Sequence, residues 1–301
     1  MTAPRMAAQD WALLILLSLI WGGGFICSKI AVGAVPPLTV ALCRVVLAAL
    51  TLHLVRLALR IPAPRDVEFW RDALIMGLLN NAIPFSLIFW GQKEIGAGLA
   101  SILNATTPLF TVIVAHVFTA DERAGPLKIA GVLAGMIGVA VMIGSDVMAG
   151  FGGHFWAEMA VLGAAFSYGF AGVFGRRFRD RPPLVVASGQ LTGSSVLLLL
   201  PVMFLDRPWD LSLPGWPPIA AILALALFST ALAYVIFFRI LKRAGSTNLS
   251  LVTLLIPPSA LMLSVLFLGE ELSRHHLIGM ALIGFGLLLL DGRLFRLRRI
   301  I

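Results

Sequence analysis

The sequence has little charge and few of the side-chain patterns from which enzymes build active sites. Only 13% of its 301 residues are charged, whereas 59% are hydrophobic, and the mean hydropathy is +0.96. A typical soluble domain is about 25% charged and about 45–50% apolar. The two cysteines form no CxxC pair, and the chain has no HExxH, P-loop or GxSxG pattern. These shortages exclude a water-soluble fold and argue against the common metal, nucleotide and serine hydrolases.

Long apolar runs fill the chain and predict an all-α integral membrane protein with ten transmembrane helices. One crossing needs about 20 apolar residues, so ten crossings leave only about 100 residues for loops and tails. A large domain outside the membrane is therefore excluded. We expect the spans at residues 10–31, 37–58, 70–91, 97–118, 127–145, 156–176, 184–204, 216–238, 246–268 and 275–292.

The net charge of +8 follows membrane topology rather than a nucleic-acid surface. With the N-terminus placed in the cytoplasm, 18 of the 23 Lys and Arg residues fall in cytoplasmic segments and 3 in outer loops. The other two, Lys29 and Arg44, lie within predicted helices. Because cytoplasmic loops carry the excess of positive charge, both termini are predicted to be cytoplasmic. The basic character then needs no nucleic-acid partner.

The two halves of the chain are related in sequence. PPLTVA at 36–41 matches PPLVVA at 182–187 in five of six positions, at an offset of 146 residues. Other matched pairs keep nearly the same offset: Trp21 with Tyr168, Lys29 with Arg176, and Pro108 with Pro257. Each half holds five helices, an odd number, so the second half must enter the membrane upside down. We therefore expect two inverted five-helix repeats, residues 1–150 and 151–301.

These features together resemble the drug/metabolite transporter superfamily, and most closely its ten-helix EamA-type exporters. The resemblance rests on WGGGF at 21–25, on Pro37 and Arg44 in the second helix, and on a central proline followed by an acidic pair in the fourth and ninth helices. It covers nearly the whole chain. It implies a bacterial inner-membrane exporter of metabolites, often amino acids, with a cavity lined chiefly by helices 1, 3, 4, 6, 8 and 9. Gln190 departs from the pattern, because it stands where the first repeat has Arg44.

Polar side chains at mid-depth are the candidate substrate-binding residues, because a polar group in hydrocarbon needs a partner. They are Trp21, Asn80, Asn81, Thr107, Tyr168, Ser229 and Tyr234. Asn80 and Asn81 point about 100° apart on a helix, so each either binds substrate or joins two helices. The rings of Trp21 and Tyr168 suit a cavity for an apolar or aromatic group, although ordinary helix packing explains them equally well.

Glycines and prolines at mid-depth are candidate hinges, because proline removes a helical hydrogen bond. They are Gly22, Gly23, Gly24, Pro84, Pro108, Pro257 and Pro258. A static kink is the alternative for the prolines. Lys29, Arg44 and Glu158 are predicted to be structural charges. Arg44 is expected in an ion pair, with Glu158 at a comparable depth, or in a clamp on backbone carbonyls, and substrate contact is the alternative for Arg44. The fifth and tenth helices should pack closely through Gly131, Gly135, Gly138, Gly279 and Gly284.

All fifteen Asp and Glu residues map to loops or helix ends, so the central cavity is expected to be uncharged. Such a cavity fits a zwitterionic cargo, and we expect export of amino acids with large apolar or aromatic side chains by alternating access. Lipophilic drugs or sugar-phosphate-like anions are the alternative cargo. An intramembrane enzyme or a channel is a more distant alternative. We expect no metal, no cofactor, and a protein that works in the lipid bilayer as a monomer or weak homodimer.

Overall fold

The computed structural model describes residues 7–119, 124–148, 154–249 and 251–291, and nearly all of them are helical. Ten helical segments follow one another within these ranges. They are α1 (Ala8–Val32), α2 (Pro37–Ala58), α3 (Val67–Gly91), α4 (Ala97–Phe118), α5 (Pro126–Met148), α6 (Phe155–Phe178), α7 (Pro183–Asp206), α8 (216–249), α9 (Val252–Leu268) and α10 (Arg274–Asp291). The first eight are long and apolar enough to cross a membrane. The 17 residues of α9 are close to the shortest useful span.

One predicted boundary is wrong. The span expected at 246–268 begins at Val252, because α8 continues to Leu249 instead of ending near residue 238. The extension carries Arg243, which bonds to Asp10 at the start of α1 at 2.8 Å. The last turns of α8 thus extend beyond the apolar run into a charged segment, where hydropathy no longer marks the helix.

Helix pairing repeats when the two halves are exchanged. The first helix of each half packs against the third and fourth helices of the other half, so α1 meets α8 and α9 while α6 meets α3 and α4. Likewise α2 packs on α7 and α8, while α7 packs on α2 and α3. The pairs α5 with α10 and α4 with α9 map onto themselves. This exchange is the one expected of two inverted five-helix repeats.

The glycines of α5 and α10 allow their backbones to approach closely, as predicted. A Cβ added at Gly138 would lie 2.8 Å from the Gly279 carbonyl oxygen, and one at Gly131 would lie 2.7 Å from that of Gly286. Gly284 is the exception, because nothing lies within 4 Å of its added Cβ. Gly286, two residues further along α10, makes the contact that was expected of Gly284.

Two of the predicted hinge glycines are packing positions in this structure. A Cβ on Gly22 would lie 2.6 Å from the Ser259 Oγ, and one on Gly24 would lie 3.1 Å from the Ser229 Oγ. Gly22 thus fits α1 against α9, and Gly24 fits it against α8. Gly23 has only Leu263 at 3.9 Å, which is ordinary contact distance. The helix is continuous through all three residues.

Candidate functional site

Two π-helical segments interrupt α3 and α8 at corresponding positions. They are Leu78–Ala82 and Leu227–Leu232, related by an offset of 149 residues at their first residues. In α3 the cause is local, because Pro84 has no N–H with which to bond the Asn80 carbonyl. The Ile83 N–H bonds to the Leu78 carbonyl, five residues back, instead. π-Helical turns of this kind occur frequently at functional sites.

The π-helical segments carry four polar residues into the bundle, Asn80 and Asn81 on α3 and Ser229 and Thr230 on α8. Their backbone is stabilised from neighbouring helices. The Ser167 hydroxyl of α6 donates to the Leu79 carbonyl at 2.7 Å, for example. The irregular backbone is therefore satisfied by protein, as irregular backbone at membrane depth must be.

Tyr234 is the centre of an amide and hydroxyl network that joins three helices. Its hydroxyl accepts a hydrogen bond from Gln190 Nε2 at 3.0 Å and one from Asn80 Nδ2 at 3.3 Å. Asn80 Nδ2 also lies 3.3 Å from Gln190 Oε1. Because the hydroxyl accepts both amide bonds, its own proton is free for a further acceptor. Gln190 is 4% exposed. It was not predicted as a binding residue, although its polar side chain at mid-depth of the seventh helix is visible in the sequence.

Arg44, on α2, bonds to α8 four residues before Tyr234. Its Nε donates to the Thr230 hydroxyl at 2.9 Å, and its guanidinium lies 3.9 Å from the centre of the Phe85 ring. Tyr168 and Tyr234 lie in the same neighbourhood. These contacts hold Arg44, rather than the predicted ion pair with Glu158. Glu158 is buried in the first turn of α6.

The expectation of an uncharged centre is therefore wrong. Sequence depth assigned Arg44 to the outer half of its helix, but the long side chain extends into the layer of Thr230 and Tyr234. Thr230 and Phe85 were also missed as site residues. Both could have been found as the repeat partners of Asn81 and Tyr234, at an offset of 149 residues.

Asn81 is fully buried next to this cluster. Its side chain is 0% exposed, and neither its amide oxygen nor its amide nitrogen has a hydrogen-bond partner of normal geometry among the described residues. The Tyr234 hydroxyl lies close to it. A buried amide without partners costs about 1–3 kcal/mol, so its retention points to a ligand or to a second conformation in which it is bonded.

Trp21 and Ser229 connect α1 to α8 through two hydrogen bonds. The Trp21 indole N–H donates to the Ser229 carbonyl at 3.2 Å, and the Ser229 hydroxyl donates to the Ile20 carbonyl at 3.1 Å. The indole ring packs 5.9 Å from the centre of Phe237. In this structure both residues fasten α1 to α8 and do not contact Asn80 or Arg44 directly.

Thr107 has a local partner too. Its hydroxyl donates at 2.7 Å to the Asn104 carbonyl, which Pro108 cannot reach because it has no N–H. The helical hydrogen bonding of α4 is interrupted here, between Asn104 and Thr107. The helix is therefore interrupted at the proline where a kink was predicted. At Pro257 and Pro258, by contrast, α9 continues without a break.

Lys29 and Glu270 bind the turn between α3 and α4, and we call this pair the outer clamp. The Lys29 ammonium donates to the Gln92 and Ile95 carbonyls at 2.7 and 2.9 Å. The Glu270 carboxylate accepts from the backbone N–H groups of Ala97 and Gly98 at 2.6 and 2.9 Å. Lys29 is thus bonded to backbone carbonyls, in keeping with the predicted structural role.

Comparison with known proteins connects this architecture to transport. The EamA-like transporter family matches residues 11–144 and 155–290. The uncharacterized transporter YoaV of Bacillus subtilis (strain 168) is 25% identical, over 91% of this chain and 94% of its own. The probable amino-acid metabolite efflux pump of Salmonella typhimurium is 27% identical, over 94% of each chain. The uncharacterized inner membrane transporter YedA of Escherichia coli (strain K12) is 26% identical, over 95% of this chain and 91% of its own.

A solved crystal structure shows that the fold is shared as well. It aligns with a TM-score of 0.64 at 21% sequence identity, covering 95% of this chain and 98% of the other. The two family matches fall in the two halves whose helices exchange in the packing, and together they cover most of the sequence. The chain is a multi-pass membrane protein, and it belongs to the EamA-like transporter family.

Proposed function

We propose that this protein is a secondary transporter that exports amino acids with large apolar or aromatic side chains from the cytoplasm across a bacterial inner membrane. Both termini are cytoplasmic in this proposal, in accordance with the distribution of Lys and Arg. Alternating access arises from the two five-helix halves moving against each other around a fixed central site.

The observation that carries the proposal is the central polar cluster of Arg44, Asn80, Asn81, Gln190 and Tyr234. These residues come from both halves, and they lie where α2 and α7 meet α3 and α8. Partly exposed aromatic rings, those of Tyr168 and Tyr234, lie beside the polar groups. A substrate with a small polar head and an apolar side chain matches this combination. The name of the Salmonella relative supports the same class of substrate.

Export of small organic anions is the second candidate, because the half-buried guanidinium of Arg44 favours a negative group. The two candidates differ in whether the substrate needs an amino group as well. An exporter of lipophilic cations is disfavoured, because a cation would meet Arg44 without a nearby carboxylate to balance it.

Uptake into proteoliposomes tests the proposal. Purified protein is reconstituted, and uptake of labelled phenylalanine is measured with and without a pH gradient, with unlabelled amino acids as competitors. We expect methionine, leucine and phenylalanine to compete, and lysine to compete at least about tenfold more weakly because a second positive charge has no partner. Equal competition by lysine, or no uptake of any amino acid, would refute it.

A further inference from the structure

Arg44 is a charged group inside the membrane-spanning bundle whose neighbours are all neutral. The groups that act electrostatically on it are Tyr168, Tyr234 and Cys27, and no carboxylate of the described residues is among them. A charge in this environment is expensive unless it is paired and hydrogen-bonded. Membrane proteins that keep such a charge usually use it for a substrate or an ion.

The Arg44 guanidinium is fixed on one edge and one face, and it is open on the other edge. Its Nε is bonded to Thr230, and Phe85 covers one face of its plane. The two terminal nitrogens make no hydrogen bond within the described residues, yet they are not among the buried atoms that lack partners. Arg44 is itself only half-buried. The terminal edge therefore borders accessible space and is not sealed by packed protein.

Neutral groups complete the surroundings of this space. The Tyr234 hydroxyl accepts two amide hydrogen bonds, which leaves its proton for a further acceptor. Tyr168 belongs to the same neighbourhood. Asn81, fully buried and without a bonded partner, supplies an oxygen acceptor and a nitrogen donor near Tyr234. The Tyr234 hydroxyl thus offers a donor near the guanidinium, and the Asn81 amide offers an acceptor.

We propose that the open edge of Arg44 binds the carboxylate of the transported substrate, that the Tyr234 hydroxyl donates its proton to the same carboxylate, and that the Asn81 amide binds the amino group beside it. This inference rests on the proposed function and names the group that the central site recognises. The two parallel N–H groups of a guanidinium edge match the two oxygens of a carboxylate. A phosphate dianion is a poorer match, because the second cation it requires is missing: Gln190 occupies the repeat position, and Lys29 is bonded to carbonyls.

Analogues of one substrate separate the contribution of the carboxylate without any mutation. In proteoliposomes that take up labelled phenylalanine, the competitors are phenylalanine, phenylalaninamide and 3-phenylpropionate. We expect the amide, which lacks the carboxylate, to compete at least tenfold more weakly than phenylalanine. We expect 3-phenylpropionate, which keeps the carboxylate and lacks the amino group, to compete better than the amide. If phenylalaninamide competes as well as phenylalanine, the inference is overturned, while the proposed transport of amino acids stays intact.

Variants then test whether Arg44 is responsible for this preference. Arg44→Gln should weaken the apparent affinity for phenylalanine at least tenfold. It should also abolish the preference for the carboxylic acids over phenylalaninamide, whereas Arg44→Lys should keep part of this preference. Lys29→Gln is the matched control, since it removes a cation that is bonded to backbone carbonyls, and it should keep the preference at whatever rate it transports. If Arg44→Gln transports with an unchanged preference for the acid, the inference is wrong.

A binding measurement covers the case in which a variant transports poorly. Thermal unfolding in detergent should show that phenylalanine and 3-phenylpropionate raise the Tm of the wild type, since ligand bound to the folded state stabilises it. Neither should raise the Tm of folded Arg44→Gln protein. Uptake of no amino acid by the wild type would instead refute the proposed function, and stabilisation by 3-phenylpropionate alone would then identify the protein as a carboxylate-binding protein with a different cargo.

Discussion

Arg44 and Gln190 are counterparts in the two halves of the chain, and each bonds to a residue on α8. Arg44 donates to the Thr230 hydroxyl at 2.9 Å, and Gln190 donates to the Tyr234 hydroxyl at 3.0 Å. Thr230 and Tyr234 lie four residues apart, so one turn of α8 connects the charged half of the site to the neutral half. A substrate that spans this turn meets a cation at one end and amides at the other. The departure of Gln190 from the repeat thus makes the two ends of this cluster chemically different.

The hydroxyl of Tyr234 should be needed both for the fold and for transport. In Tyr234→Phe, the Asn80 and Gln190 amides lose their shared acceptor, and an unpaired buried polar group costs about 1–3 kcal/mol. We expect a lower Tm in detergent and a loss of phenylalanine uptake of at least about tenfold. In the cycle with Gln190→Leu, the two substitutions should be non-additive by about 0.5–3 kcal/mol. Strict additivity would show that the network does not act as a unit.

The outer clamp should depend on the carboxylate of Glu270 and not on its size. A carboxylate accepts from both the Ala97 and Gly98 N–H groups, but the amide of Glu270→Gln has one oxygen and presents a donor to the other N–H. We expect Glu270→Gln to lower stability by about 1–3 kcal/mol and to slow uptake. Glu271→Gln is the control, because Glu271 is exposed and follows directly in sequence. Equal effects of the two substitutions would remove the role assigned to Glu270.

The fold was predictable because apolar runs and internal repeats are visible in the sequence itself. The ten spans, the pairing of α5 with α10 through glycines, and the exchange of helices between halves all depend on the periodicity of small and apolar residues. The error at the end of α8 arose where charged residues extend a helix beyond the apolar run. Hydropathy gives no information on such an extension.

The site was predictable only in part, because sequence gives depth along a helix better than direction around it. Asn80, Asn81, Tyr168 and Tyr234 were predicted and lie in or next to the central cluster. Trp21 and Thr107 were chosen on the same grounds, but their polar atoms bond to backbone carbonyls. The reach of Arg44 depends on a long flexible side chain and on two π-helical turns. Neither has a signature in apolar spacing.

Membrane orientation is tested by cysteine labelling in a background of Cys27→Ser and Cys43→Ser. Leu213, 95% exposed between α7 and α8, should be outside, and Ala63, exposed between α2 and α3, should be inside. We expect an impermeant thiol reagent added to intact cells to label Leu213→Cys and not Ala63→Cys. Lysed cells provide the control, in which both should react. The reverse pattern in intact cells would invert the proposed topology.

The glycines of α10 provide a matched pair for the close packing of α5 and α10. Gly279→Ala places a Cβ 2.7 Å from the Gly138 carbonyl oxygen and 2.0 Å from the Met142 side chain, so the helices must separate. Gly284→Ala meets nothing within 4 Å and should gain up to about 1 kcal/mol from helix propensity. We therefore expect opposite shifts of the Tm in detergent. A loss of stability in both variants would show that glycine is needed on this helix for a reason other than contact with α5.

Thr107 and Pro108 should be energetically coupled, because the Thr107 hydroxyl bonds to the carbonyl that Pro108 cannot reach. In the wild type, Thr107→Val should cost about 0.5–1.5 kcal/mol of stability, the usual net value of one hydrogen bond. In a Pro108→Ala background, the new Ala N–H can bond to the Asn104 carbonyl, so Thr107→Val should cost much less. The same Pro108→Ala change should straighten α4 and slow uptake if the break between Asn104 and Thr107 acts as a hinge. Thermal unfolding of the four proteins measures the coupling, and uptake by folded Pro108→Ala protein at the wild-type rate would show that the kink is static.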